Sequence, residues 1–223
     1  MMNWVKFYKI KDHEKKVRKP WNGKKFEELL LKANTRISKD RAWTLIQFLD
    51  YALQKDGECI EMGVYKGASA YLIADRMKKN KKHKILFLLD TFKGTPYKST
   101  GYKKDNEKRK GQYIVAGGIQ KVKEHLREYE PLCQFIQGVI PKSFSTLPEN
   151  TYFCFIHIHL NLYDSTYEAL KFAYKYCIKD GIILIEDYGL TSCQGVKAAV
   201  DKFCKKHKIR LIELPTCQGV IIK

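Results

Sequence analysis

Between residues 58 and 222, short apolar runs alternate with amphipathic stretches of helical period, and that alternation narrows the fold to one class. Strand-like runs fall at 58–62, 84–90 (KILFLLD), 132–137 (LCQFIQ), 152–160 (YFCFIHIHL) and 182–186 (IILIE). Runs this apolar suit strands covered on both faces. Helical patterns separate them: 67–78, a stretch with Ile119, Val122 and Leu126, 165–178 and 194–206. Ser165 and Glu168 form a capping-box pattern at the head of the third. The closing runs 209–214 and 218–222 are separated by Pro215-Thr-Cys, too little chain for a helix, so they pair antiparallel. The expected fold is α/β: a Rossmann-like, mostly parallel, doubly wound sheet with an antiparallel C-terminal edge.

Upstream, Phe26, Leu29, Leu30 and Ala33 mark a short helix. Ser38 caps a second helix whose face carries Ala42, Leu45, Ile46, Leu49 and Leu53. Residues 1–23 are charged and aperiodic. The organisation read from this pattern is an arm and short helix over 1–34, then one domain over 35–223. Within it, 93–117 is Lys-, Gly- and Tyr-rich without period, a loop long enough to serve as a lid.

Residues 57–77, GECIEMGVYKGASAYLIADRM, are the most informative motif. A strand ends at Gly63, a turn runs through Val64, Tyr65 and Lys66 to Gly67, and a helix begins, with Ser69 in its first turn. At such a point the backbone approaches a ligand closely and unpaired N–H groups face it. The P-loop pattern and the G-x-G-x-x-G dinucleotide fingerprint are both absent. G-x-x-x-G after the acidic Glu61 suits S-adenosylmethionine (SAM), which has no phosphate to cradle; the plain alternative is a glycine turn in some other α/β domain.

In a doubly wound sheet, ligands sit beyond the strand C-termini. The strands end at Glu61-Met-Gly63, Asp90-Thr91, Gly138, His159-Leu-Asn161 and Glu186-Asp187. Asp90 is placed to accept both hydroxyls of a ribose, or else to cap a turn. The adjacent acids Glu186 and Asp187, with Asn161 adding a neutral oxygen, suit a hard divalent cation such as Mg²⁺; a solvated strand end is the alternative. His159 is the candidate general base, because imidazole titrates near neutral pH. His157 is the weaker candidate.

The chain carries 42 Lys and Arg against 24 Asp and Glu, a net charge of +18. That field concentrates anionic partners, or simply provides solvated surface. Lysine dominates: the arginines are Arg18, Arg36, Arg41, Arg76, Arg109, Arg127 and Arg210. Readers of nucleic acid rely on arginine forks, so nucleic acid is not the expected partner. The seven cysteines are scattered, odd in number and free of C-x-x-C, which reads as free thiols in a reducing compartment. With no apolar leader at the N-terminus and no run of membrane length, a cytoplasmic homo-oligomer is expected.

Several motifs in order resemble one family. GECIEMGVYKGASAYLIA, LLDTFKGTP, FIHIHLNLYDSTYEAL and GIILIEDYGLTSCQGVKAAVDKF resemble the blocks of macrocin O-methyltransferase-like enzymes, and RISKDRAWTL resembles the stretch upstream. Together they cover most of the chain from Thr35 to Lys202. The resemblance implies a class I SAM-dependent methyltransferase fold and Mg²⁺-assisted O-methylation of a hydroxyl on a sugar, glycan or glycosylated small molecule. It places Glu61 and Gly63 at the methionine end of SAM, Asp90 at the ribose, and Glu186 and Asp187 at the metal. The chain departs from the family where D-x-D becomes His159-Leu-Asn161. Two carboxylates are lost, which implies a weakened metal site, a metal-free enzyme, or a SAM-binding protein without catalysis. Glu186 for the first acid of the pair, Lys66 for Arg and Ala68 for Gly are milder changes. An anionic acceptor is the reading of the lysine-rich surface.

Overall fold

The computed structural model describes residues 19–81, 83–95, 101–107 and 111–223. Two helices come first, α1 (Lys24–Ala33) and α2 (Lys39–Ala52). Asn34 closes α1 in the left-handed conformation, its N–H turned back on the Leu30 and Leu31 carbonyls. Ser38 stands at the N-cap of α2 as expected. It works through its carbonyl, which accepts the Ala42 N–H at 3.0 Å, while its hydroxyl makes no capping bond.

The alternation then follows: β1 (Glu58–Met62), α3 (Ala68–Lys79), β2 (Leu86–Asp90), α4 (Gly118–His125), β3 (Cys133–Gln137), β4 (Phe153–Ile158), α5 (Tyr163–Tyr176), β5 (Cys177–Ile185), α6 (Gln194–His207), β6 (Ile212–Glu213) and β7 (Gly219–Ile222). These strands form one sheet in the order β3-β2-β1-β4-β5-β7-β6. The first five are parallel; β7 runs antiparallel to both β5 and β6. The strand order reverses between β1 and β4, the switch point of a doubly wound sheet.

Strand alternation divides the core into two layers. Cys59, Leu88, Phe155, Leu184 and Val220 face α1, α2 and α3 through Leu30, Leu45, Leu49 and Leu72. Ile60, Phe87, Ile156, Ile183 and Ile221 face α5 and α6 through Leu170, Val196, Val200 and Phe203. Each such side chain, fully buried, contributes about 1.5–3 kcal/mol. The Arg76 fork grips Asp50, Nε to Oδ1 at 2.5 Å and Nη2 to Oδ2 at 2.6 Å, and so ties α3 to α2.

Local chemistry moved several boundaries. The last-but-one strand shrinks from 209–214 to Ile212–Glu213 because the Ile209 N–H is spent on the Cys204 carbonyl, closing α6. β5 starts at Cys177, five residues before the expected 182, because Cys177 pairs with Phe153 ahead of a bulge. β2 starts at Leu86, two residues later than expected, because the Ile85 N–H is spent on the Glu58 carboxylate. β4 stops at Ile158, two residues early, although the His159 N–H still reaches the Met62 carbonyl at 2.8 Å. Ser165 is not a cap: α5 begins at Tyr163, and the Ser165 hydroxyl donates back to the Leu162 carbonyl. All seven cysteines are free thiols. Among the described residues no helix is long and apolar enough to cross a membrane.

Candidate active site

The glycine turn between β1 and α3 is held by a carboxylate from the neighbouring strand. Asp90, last residue of β2, accepts the Val64 and Tyr65 N–H groups on Oδ2 at 2.7 and 2.8 Å, and the Phe92 N–H on Oδ1 at 2.8 Å. Its first duty is therefore to its own backbone. Gly63 has φ +91°, and a Cβ there would overlap the His159 carbonyl oxygen. Only glycine lets β1 and β4 close at this point.

A cleft of about 1130 Å³, its open mouth included, opens over this turn. Gly63, Val64, Tyr65, Ser69, Asp90, Thr91 and Gly138, all expected cofactor residues, line it, as do His159 and Asn161. Asn34 to Ile37 close one side; Gly94, Thr95 and Tyr113 form another. The N-terminus of α3 has no side-chain cap, which leaves its first N–H groups directed outward. A glycine that tolerates no side chain, an uncapped helix start and a strand-end carboxylate fit a nucleoside-bearing cofactor without phosphates.

The remaining expected residues do not line the cleft. Parallel register sets Glu61 beside His157 and His157 beside Leu184. Glu61, His157 and Glu186, two residues past Leu184, therefore share the face that α2 covers. There they form a buried ionic chain. His157 Nδ1 meets Glu61 Oε1 at 2.8 Å and its Nε2 meets Glu186 Oε1 at 3.1 Å. Gln218, just before β7, donates to Glu186 Oε1 at 2.7 Å. Arg41, in the first turn of α2, gives Nε and Nη2 to Glu186 Oε2, with Nε at 3.0 Å, and shares Nη2 with Asp187 Oδ1 at 2.6 Å. Asp187 has φ +61°, an uncommon conformation for a residue with a side chain. It turns two adjacent acids onto one guanidinium, where a regular strand would have sent them to opposite faces.

Electrostatics follow from this wiring. Burial works against a charge on His157, but hydrogen bonds to Glu186 and Glu61 outweigh it and push its pKa from 6.5 up to about 9. Burial likewise opposes ionisation of Glu186, yet the His157 hydrogen bond and the charges of His157, His159 and Arg41 hold it well below the usual carboxylate range. Arg41 is raised further above its already high value: burial disfavours its charge, and Glu186 and Asp187 overcome that.

Glu61, expected at the methionine end of the cofactor, thus lies beneath the turn as the partner of His157. Its Oε2 is buried and makes no hydrogen bond among the described residues. Glu186, expected as a metal ligand, is fully buried with each oxygen engaged twice. Asp187 keeps Oδ2, which stands 3.9 Å from His159 Nε2. Asn161 Oδ1 is 3.5 Å from the Tyr113 hydroxyl and 3.8 Å from Cys193 Sγ. A hard divalent cation requires about six oxygens in open array, and this set does not fit one. Glu61, His157 and His159 place ligand atoms within 4.8 Å of one another, but both ring nitrogens of His157 are already taken by carboxylates.

Sequence reasoning missed Arg41 and Gln218, and did not foresee His157 as the buried link between Glu61 and Glu186. The available signal for Arg41 was chemical. In a chain that otherwise favours lysine, an arginine inside a recognisable motif is there for its fork.

The sheet topology and this cleft define a class I methyltransferase, with S-adenosylmethionine as the cofactor the cleft would take. The family profile described as macrocin-O-methyltransferase (TylF) matches residues 6–214. The chain belongs to that family and is an O-methyltransferase. Among solved structures, the O-methyltransferase NovP superposes with a TM-score of 0.74 at 20% identity, covering 85% of this chain and 81% of that one. The calicheamicin methyltransferase CalS11 gives 0.71 at 17%, covering 92% and 94%. An O-methyltransferase from Bacillus cereus in complex with SAH gives 0.61 at 10%, covering 93% and 92%. At these identities the likeness is one of fold. No curated protein matches the chain.

Two outcomes are expected. Gly63→Ala combines a steric overlap with an unfavourable φ and should cost more than about 2 kcal/mol; urea unfolding of the two proteins measures it. His157 has a raised pKa, so its stabilisation is present in full below 6.5 and is lost as pH rises through about 9. The imidazole should remain doubly protonated by NMR at neutral pH, and the melting temperature should fall as that window is crossed.

Proposed function

We propose that this chain transfers the methyl group of S-adenosylmethionine to a hydroxyl of a sugar, free, nucleotide-linked or glycosidic. One observation carries the reading: the residues of the glycine turn, Asp90 and His159 all border a single cleft at the switch point. CalS11, similar in fold, is described as a TDP-rhamnose 3'-O-methyltransferase, which supports the sugar class of acceptor.

Bound SAM supplies an electrophilic methyl group on a sulfonium. The chain's own residues do the rest. Asp90 holds the turn through Oδ2 and the Phe92 N–H through Oδ1, and offers the acceptor capacity left on Oδ1 to a ribose hydroxyl. The turn from Gly63 to Tyr65, with Thr91, Gly138 and Ser69, packs around the adenosine and methionine portions. His159, partly exposed at the cleft wall, takes the proton of the acceptor hydroxyl as general base. Residues 93–117 act as the lid that excludes water; of these, 96–100 and 108–110 lie outside the described residues. The Lys93–Ile114 bridge and the Thr95–Gln112 backbone bond pin the lid's base. Arg36, beside the cleft, and the net charge of +18 favour an anionic acceptor, such as a sugar carrying phosphate or carboxylate.

Calorimetry with S-adenosylhomocysteine tests cofactor binding. Asp90→Ala should weaken it about 10- to 100-fold, the worth of hydrogen bonds to a charged group; unchanged affinity removes Asp90 from the ribose. Mass spectrometry of a panel of nucleotide sugars and glycosides incubated with SAM then reads methyl transfer. Tight SAM binding with no methylated product from any hydroxylated acceptor would overturn the enzymatic reading in favour of a binding protein.

A further inference from the structure

The family's metal chemistry and this chain's acids disagree, and the disagreement has a cause on the α2 side of the sheet. Glu186 Oε2 accepts two donors from Arg41, and Glu186 Oε1 is engaged by His157 and Gln218. A carboxylate has about four acceptor sites, so Glu186 has nothing left for a cation. Asp187 Oδ1 is bound to the same guanidinium at 2.6 Å. The pair is well sheltered, the side chains of Arg41, Glu186 and Asp187 being 13%, 0% and 10% exposed. The other two carboxylates of the family's set are replaced by His159 and Asn161.

We infer that Arg41 is the built-in cation of this site: its guanidinium occupies the charge position between Glu186 and Asp187 and makes the chain independent of a divalent metal. The two unusual features then explain one another. A single positive charge, fixed and already hydrogen-bonded, needs only the two acids it touches. Four acids around it would leave uncompensated negative charge in a sheltered place. Arg41 acts through Asp187, as a positioning residue. It holds one oxygen of that carboxylate and leaves Oδ2 facing His159 Nε2 at 3.9 Å.

The proton chemistry that follows rests on the methyltransferase reading above. The acceptor hydroxyl gives its proton to His159. The oxygen's electron pair forms the new O–CH₃ bond while the cofactor's S–CH₃ bond breaks, its pair staying on sulfur as the thioether. The positive charge that had been on the sulfonium ends on the imidazolium, where Asp187 stabilises it. No Lewis acid takes part.

Mn²⁺ alone, titrated into the full-length chain and followed by the EPR signal of the free ion, should show no saturable site up to about 1 mM, the weak end of oxygen-ligated sites. A saturable site that Asp187→Asn removes overturns the inference. A second comparison tests competition directly. His159→Asp with Asn161→Asp restores the two missing carboxylates. Adding Arg41→Ala to that pair should tighten Mn²⁺ binding by about tenfold or more, since ligand charge tunes such sites. Equal affinity with and without Arg41 refutes its place as the cation. Where the Arg41→Ala chain does not fold by circular dichroism, the wild-type titration decides. S-adenosylhomocysteine binding is measured on the same wild-type sample. Its absence counts against the proposed function, and the Mn²⁺ arms alone judge Arg41.

Discussion

Three carboxylates and two cationic side chains meet under the C-terminal ends of β1, β4 and β5, and the upper half of the molecule is organised by that meeting. Moving one charge out of water costs several kcal/mol even after relaxation, and the cost is offset only when partners and hydrogen bonds are complete. Glu186 satisfies that condition fully, through Arg41, His157 and Gln218, and the chain runs on to Asp187 and to Glu61, whose Oε1 is held by His157 while its buried Oε2 makes no hydrogen bond among the described residues. Docking of α2 is thus constrained twice, by the apolar contacts of Leu45 and Leu49 and by a guanidinium that fits one position. Exposed pairs such as Lys121 with Glu124 and Lys171 with Glu168 contribute far less, because solvent screens them.

Above this layer the chemistry is divided between two strand ends. The β2 end, through Asp90, shapes the turn that would receive the cofactor. The β4 end carries His159 into the cleft and keeps His157 below it, two residues apart on one face. One imidazole is locked between carboxylates; the other borders the cleft with Asp187 behind it. Two histidines with the same intrinsic chemistry therefore sit in different surroundings, set by what each is wired to.

Much of this was legible in the chain. The sheet, its order of elements and its antiparallel edge follow from apolar runs that only doubly covered strands explain. The glycine turn and Asp90 follow from strand ends in sequence. Boundaries failed where one backbone N–H was diverted, as at Ile85 and Ile209, because the choice of a single acceptor has no periodic signature. The charge chain was hidden for a different reason. Arg41 and Glu186 are 145 residues apart, and nothing local in either segment names the other. The positive φ of Asp187 is equally unreadable, since it results from what the two acids share. Glu186 and Asp187 read as a metal pair because the sequence displays acids and not their partners.

The span between Arg41 and Glu186 also orders events in time. A ribosome releases α2 long before it makes β5, so the growing chain carries Arg41 without its counter-charges through most of its synthesis. The latch on α2 can close only when the fifth strand has been laid beside the fourth. Contacts of such long range are the slow ones in folding. A nascent chain that ends at β4 therefore lacks both acids that hold Arg41, and α2 is without that latch until the residues after β5 have been added.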